Sequence, residues 1–534
     1  MSFPIPFDVF FLTKAATAAL FASLVPFVFK RVNNYTNLRH LPGPSFAGIL
    51  NGNFQEAFDD DKVAVITQWV EKYGKVFRVW GLLGQVDVMV ADLKGISHVL
   101  KHDAVGYQKP DQLVYLLGRL TGKGLFIAEG DQHRRQRRVM NPAFGPAEVR
   151  SLTEIFVEKS IELRDIWSSH IENNDGSRAE LDVLYWLSKM TLDVIGQAGF
   201  NYQLDALSGK YNELNKAYTH VLGESNFMTP SVVLKLVFPF LRLLPEPDAE
   251  FRRGLATSNR IGMELYKRSK KATETTGTSQ DRDLFSLLIK SNMSSEVPEA
   301  RRMTEEEVLA QVPTFLAAGH ETTSTSTTLA FYLLCMNPHT QSKLRAELAS
   351  VPTDSPSMDQ LNALPYLDAV VRETLRLLAP VQATIREATR DDVIPLSQPF
   401  VDQYGQRHDV LEIKKGQSVS IPIIAINKDK ALWGSDAEEF KPERWENLPE
   451  AVTSIPGVWG NMMTFLGGPH GCIGWRFTIV ETKALLFTLL RAFEFEFAVP
   501  KDDVLIKRGF AVHRPMVRGK EGSQLPVIIK PVKV

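Results

Sequence analysis

Cys472 lies in the run FLGGPHGCIG, Phe465 to Gly474, where four glycines and one proline surround a single sulfur. Gly467, Gly468, Gly471 and Gly474 let the main chain pass close to something bulky and flat. A loop of this kind leaves amide N–H groups outside regular ladders. They can point at the sulfur and favour the thiolate, the form that ligates metal. An apolar helix is expected to follow over 477–493. The alternative is a buried structural cysteine in a turn before a helix. Glycines on both sides, and Phe465 seven residues earlier, favour the ligand.

A second cluster is AAGHETT, residues 317–323. Thr304 followed by Glu307 has the form of a capping box, and Asn337-Pro338 provides a stop. A helix of ~48 Å is expected between them, with a kink or break near Pro313. Gly319 costs this helix roughly 1 kcal/mol relative to alanine. Either a group approaches its backbone there or two helices pack closely. Glu321 and Thr322 form an adjacent acid and alcohol, and a helical threonine can bond back to an earlier carbonyl and bend the helix. His320 is expected to pack rather than ligate.

Glu373 and Arg376 are three apart and share a helix face. Taken alone, such a pair is an ordinary surface contact worth under about 1 kcal/mol. PERW follows at 442–445. In GDQHRRQRR, 130–138, His133, Arg134, Arg135, Arg137 and Arg138 crowd two helical turns. A charge run is ordinarily a solvated face. His133 and Arg137 nevertheless share one side, and the Arg137 fork suits a carboxylate.

In this order the four motifs resemble the cytochrome P-450 family, the haem-thiolate mono-oxygenases. The family pattern Phe-x-x-Gly-x-Arg-x-Cys-x-Gly is matched by Phe465, Gly468, Cys472 and Gly474, with His470 in place of arginine. The resemblance implies haem b (iron protoporphyrin IX) with Cys472 as axial thiolate, which favours O–O cleavage. It places His133 (tryptophan in the family) with Arg137 on one haem propionate. It also assigns His470 a propionate contact, and Arg386, in IREAT, the remaining one. Ala318, Gly319, Glu321, Thr322 and Thr323 match the family's oxygen groove. Thr322 would hydrogen-bond the activated oxygen and Glu321 would relay protons from solvent. Glu373, Arg376 and Arg444 would form a structural network holding the cysteine loop. Arg134, Arg135 and Arg138 would stay exposed on the side where the family docks an acidic electron donor. The implied fold is mainly α with small β-sheets, a triangular helical prism enclosing haem between the long helix and the cysteine loop.

The elements that must position these groups read as one catalytic domain over 46–534. Strands are expected at 75–80 and 86–90, with Gly81 and Gly84 at the turn, and helices at 147–173, 181–198 and 258–271. Polar linkers are expected at 272–283 and 291–302. Residues 1–31 read as a membrane anchor. The run 9–29 is mostly apolar, and its uncharged part, 15–29, rises only ~22 Å, so a span of roughly 30 Å needs 9–12 as well, with Lys14 snorkelling. Lys30, Arg31 and Arg39 follow it, which puts the body on the cytosolic side of an endoplasmic reticulum membrane. The alternative is a cleaved secretory signal, but its basic residues would precede the core and a small-residue cleavage site would follow. A stiff hinge is expected at 32–45, around LPGPS.

Composition excludes several classes. The 534 residues are 44% hydrophobic and 23% charged, which rules out disorder over most of the length. Sixty-one basic and sixty-two acidic residues give a net charge of −1, so no global field draws in nucleic acid. Two cysteines allow at most one disulfide and no zinc site with three or four thiolates.

The expected activity is insertion of one atom of O2 into a lipophilic small molecule, by hydroxylation or epoxidation, in secondary metabolism or detoxification. Electrons would come from NADPH through a separate cytochrome P-450 reductase, with cytochrome b5 as a further donor, because no strand–turn–helix GxGxxG or fused flavin domain is present. The alternatives are a reductase-independent hydroperoxide isomerase, dehydratase or peroxygenase, and a membrane-tethered haem carrier or sensor. Retention of Glu321-Thr322 argues against the first group. Leu113, Leu116, Leu117, Phe227, Met228, Phe315, Val381 and Phe510 are candidate substrate contacts.

Overall fold

Apolar residues at helical spacing dominate the chain, and the structure, a computed structural model, is mainly helical with small sheets. It describes residues 25–532 apart from 54–55, 57–64, 103–104, 175, 222–228, 277–281 and 509–511.

The helix Trp475–Ala492 runs through the centre and is buried on nearly every face. Its apolar residues accordingly fall on all sides rather than in a single stripe, and Thr478, Glu481, Thr482, Lys483 and Thr488 are buried among them. The long helix Gln311–Met336 packs beside it, with Pro146–Asn173 and Val183–Phe200 completing the core. Aromatic pairs tie these elements together. Phe331 meets Phe495 at 4.5 Å between ring centroids, and Phe156 meets Phe477 at 4.6 Å.

The capping box at Thr304 and Glu307 is present, and of the expected kink or break near Pro313 the structure shows a break. Glu305–Leu309 ends at Ala310, and Gln311–Met336 starts anew. The break lies ahead of Pro313 for a steric reason: the proline ring cannot pass the carbonyl four residues back, that of Leu309. The expected linker at 272–283 is shorter than its composition suggests, because Ala249–Thr276 is helical to its end.

Val76–Trp80 pairs antiparallel with Val86–Val90, which runs parallel to Ser418–Ile421; Thr384–Ala388 and Tyr107–Gln108 complete this sheet. A second sheet joins Ala179–Asp182, Pro526–Pro531 and Phe493–Phe497. Two hairpins remain, Asp392–Val401 with Arg407–Ile413 and Val504–Arg508 with His513–Val517.

Most of the expected anchor lies outside the described residues. Helix 25–38 carries its last part and continues through the first half of the expected hinge. Among the described residues no helix is long and apolar enough to cross a membrane. The chain then passes onto the first strand, where Arg78 N donates to Pro42 O at 2.8 Å. Gly43 is required here, because a Cβ would lie 2.1 Å from Arg78 O.

Candidate active site

The cysteine loop folds back on itself before the central helix. Cys472 N donates to Phe465 O at 2.8 Å, and Gly471 N to Gly468 O at 3.0 Å. Three of the glycines are seated closely against protein neighbours. A Cβ at Gly467 would meet Pro456 O at 1.8 Å, one at Gly468 would meet Leu100 O at 2.0 Å, and one at Gly471 would meet Val458 Cγ1 at 2.6 Å. Gly468 also has φ +70°, a left-handed conformation that suits glycine. Gly474 makes no such contact closer than Phe144 Cε1 at 3.9 Å.

The thiol of Cys472 is enclosed by protein but open to an internal cavity of about 1150 Å³. Burial pushes its pKa up, while the backbone amides of Gly474 and Trp475 and the charge of Arg137 pull it down. Those amides belong to the start of Trp475–Ala492, whose first N–H groups lack helical partners. Metal binding would supply the rest of the driving force for deprotonation.

Behind the loop lies a buried ion network. Glu373 and Arg376 are 0% exposed and pair at 2.8 Å, so the surface-pair reading of Glu-x-x-Arg does not hold here. Arg444 reaches Glu373 at 3.2 Å, and Trp445 Nε1 donates to the same carboxylate at 3.1 Å. Arg376 also donates to the carbonyls of Asn427 and Ala437. The Asn427 side chain then accepts from Met463 N and donates to Thr464 Oγ1, both at 2.8 Å. The network thus reaches the residues directly ahead of Phe465.

One end of the cavity collects cations. Arg137 donates to Gly471 O at 2.5 Å and to Asn141 Oδ1 at 2.8 Å. His133 stacks on His470 with ring centroids 3.8 Å apart. Burial, with His470 and Lys109 nearby, lowers the His133 pKa to about 3, so the ring is neutral. His470 Nε2 lies 3.3 Å from Glu129, which Lys109 also engages at 2.7 Å. Burial, opposed by the His470 hydrogen bond and the Lys109 charge, leaves Glu129 at about 2. Arg386, 3% exposed on the strand Thr384–Ala388, donates to Thr384 Oγ1 and Ile385 O, both neutral. Of the outer arginines, Arg135 is not free but bonds Glu307 at 2.5 Å.

On the long helix, Ala318, Gly319, Glu321 and Thr322 line the same cavity as Cys472. Thr322 Oγ1 donates to Ala318 O at 2.6 Å. Glu321 is ion-paired with Arg514, from the strand His513–Val517. Thr323 is turned into the core. The Gly319 cost is a helix-packing contact: a Cβ there would lie 2.9 Å from Ile195 Cδ1. His320 packs as expected, with Nε2 2.8 Å from Ser188 Oγ.

Leu113, Leu116, Leu117, Phe315 and Val381 line the cavity, while Phe227, Met228 and Phe510 lie outside the described residues. Sequence reasoning missed Lys109, Glu129, Asn427, Thr464 and Arg514. None sits in a contiguous motif, and only the tertiary fold brings them in.

The residues present fit a haem. A single thiol among the described residues faces the cavity, and Arg137, Arg386 and Lys109 line it too, a donor set for two carboxylates. At about 1150 Å³ the cavity exceeds the roughly 300–1,000 Å³ of an ordinary ligand pocket, which leaves room for a macrocycle and a substrate.

Comparison with known proteins agrees. The Cytochrome P450 family model matches residues 41–518. Cytochrome P450 monooxygenase 205 of Postia placenta is 50% identical over 507 residues, 92% of this chain and 93% of that protein. Cytochrome P450 monooxygenase 128 of the same fungus is 50% identical over 515 residues, 93% of each chain. Cytochrome P450 monooxygenase claO of Ampulloclitocybe clavipes is 37% identical over 510 residues, 92% of this chain and 93% of that protein. With its thiol loop, buried Glu–Arg network and cavity in place, the chain belongs to the cytochrome P450 family of haem-thiolate monooxygenases.

Proposed function

We propose that the protein is a membrane-tethered monooxygenase that hydroxylates or epoxidises a lipophilic small molecule. It takes electrons from NADPH through a separate reductase, with cytochrome b5 as a further donor. The observation that carries this reading is the acid–alcohol pair Glu321-Thr322 lining the same cavity as the Cys472 thiol. An enzyme that only rearranged hydroperoxides would not need it.

Haem b, when bound, supplies the iron centre at which O2 is reduced and one oxygen atom is transferred. Cys472 would ligate the iron. Arg137, Arg386, His133 and His470 would orient the propionates, and Lys109 would add charge at the same end. Glu373, Arg376 and Arg444 hold the loop through Asn427 and touch no substrate. Thr322 would give up its bond to Ala318 O and turn its hydroxyl to the reacting oxygen. Glu321, released in part from Arg514, would pass protons towards it. Leu113, Leu116, Leu117, Phe315 and Val381 would bury the substrate and exclude water.

The proposed role is in secondary metabolism or detoxification, and the relatives that the chain matches are fungal monooxygenases. The apolar run 9–29, followed by Lys30, Arg31 and Arg39, supports a single-pass tether in the endoplasmic reticulum with the body cytosolic. Lys30 bonds Glu387 at 2.9 Å, which ties the tether's last residues to the body.

The deciding experiment compares turnover of a lipophilic panel with NADPH plus reductase against turnover with peroxide alone. Product only in the first supports the proposal. Product only with peroxide, or haem binding without substrate-dependent NADPH consumption, rejects it.

A further inference from the structure

A second polar group lines the cavity, and its partners are not the cations of the propionate end. Asp87 is 4% exposed on the strand Val86–Val90 and lines the cavity with Gln85 and Ser418. Strand register sets Asp87 beside Ser418, and Ser418 beside Glu387 of the strand Thr384–Ala388. Cross-strand partners share a sheet face, so these side chains form one polar row. Gln85 Nε2 donates to Asp87 Oδ1 at 3.0 Å and lies 3.4 Å from Ser418 Oγ. The charges that act on Asp87 are Arg31 and Glu387, neither of which joins the cluster of Lys109, Glu129 and His470.

Helix 25–38 completes this group. Arg31 lines the cavity, with its guanidinium 4.7 Å from the ring centroid of Phe27, which lines it too. Arg31 Nε is buried and meets no hydrogen-bond partner among the described residues. One residue earlier, Lys30 pairs with Glu387 at 2.9 Å. That pair cancels its own charge, which leaves one guanidinium and one carboxylate on this part of the wall. A buried donor without an acceptor is disfavoured, and so is a buried carboxylate. An anion would be repelled by Asp87 and Glu387, and a cation by Arg31 and Lys30. A hydroxyl suits both groups, since it accepts one hydrogen bond and donates another. Leu82 and Leu83, just before Gln85 in the chain, also line the cavity, so apolar surface adjoins the polar row.

We propose that Asp87 and Arg31 are specificity-determining residues that hold a hydroxyl group of the substrate, with Asp87 accepting from it and Arg31 Nε donating to it. The substrate is then a lipophilic alcohol rather than a plain hydrocarbon. This deepens the monooxygenase reading above and rests on it. A site built around a hydroxyl discriminates strongly against the analogue that lacks it, because the site's own polar groups are then left unpaired. Holding the hydroxyl also fixes which carbon of the skeleton meets the reacting oxygen, so the same contact sets regiochemistry.

The test uses the haem-loaded full chain in detergent. Dodecanol, farnesol and cedrol are titrated against the same skeletons with hydrogen in place of the hydroxyl, by calorimetry and by the haem spin-state change. The wild type should bind at least one alcohol about tenfold more tightly than its hydrocarbon. Asp87→Asn and Arg31→Met should each cut that preference several-fold and leave the hydrocarbon affinity unchanged. Either variant carries the test if the other does not fold. A wild type that binds no alcohol more tightly than its hydrocarbon overturns the proposal, as does a preference that survives either variant. A wild type that shows the preference but makes product only from peroxide overturns the monooxygenase reading and leaves the hydroxyl site standing.

Discussion

Arg376 donates to the main-chain oxygen of Asn427 at 2.8 Å, and the Asn427 side chain holds Met463 N and Thr464 Oγ1 ahead of the cysteine loop. Two contacts thus separate a fully buried ion pair from the segment that presents the sulfur. A defect in the pair is therefore transmitted to the loop through hydrogen bonds rather than through bulk packing.

Glu373→Ala leaves Arg376 buried without its carboxylate, while Arg444 keeps Asp436, and breaking such a buried pair costs about 3–5 kcal/mol. Asn427→Ala removes the bridge alone and should cost about 1–3 kcal/mol. Denaturant unfolding measures both. The Asn427 variant should lose haem retention out of proportion to its stability loss.

Cys472→Ala removes the only thiol among the described residues that line the cavity. The fold should persist, because the loop is held by main-chain bonds and close backbone packing. The reduced carbon monoxide adduct should lose its red-shifted Soret band, and activity should vanish. A variant with the same spectrum as the wild type would exclude this sulfur as the ligand.

Thr322→Ala deletes a hydroxyl whose present partner is Ala318 O within its own helix. Haem and substrate binding should survive. Losing a positioned proton-transfer group is typically worth about 10²–10⁴-fold in the step it serves, and the reducing equivalents should appear as peroxide. Peroxide yield per NADPH is the measurement, and wild-type coupling would contradict the assigned role.

Asp87 is buried beside Gln85 and Ser418, and burial raises its pKa from 3.8 to about 6. A carboxyl that holds its proton more tightly when folded favours the native state at low pH, and that contribution is lost as pH rises through about 6. Asp87→Asn should therefore be nearly silent below about pH 4 and stabilising above about pH 6, by about 3 kcal/mol. Thermal or urea unfolding at the two extremes reads the difference. A variant equally stable or less stable than the wild type at high pH would contradict it.

What sequence made legible is what lies in contiguous runs. The cysteine loop, the acid–alcohol pair and the Glu-x-x-Arg element each carry their chemistry within ten residues, so type and spacing could be read directly. The structure brings Cys472, Arg137, Arg386, His133, His470, Glu321 and Thr322 to one cavity. Contacts made across the fold were not legible. Arg514 meets Glu321 from a strand near the carboxy terminus, and Glu129 meets both His470 and Lys109. Glycines were correctly singled out, but their neighbours were not: Gly467, Gly468 and Gly471 yield to protein, and Gly319 yields to Ile195. A glycine states that something is close without stating what. The helix break at Ala310 was foreseen in kind, since Pro313 demands it, but not at its residue.

The close seating of Gly43 against Arg78, with Pro42 accepting from the same strand, has a practical corollary for making the protein without its amino-terminal segment. Trimming on the amino-terminal side of residue 41 keeps this clasp. Trimming at residue 46 bares Val76–Trp80 along its outer side, and an uncovered strand margin invites self-association.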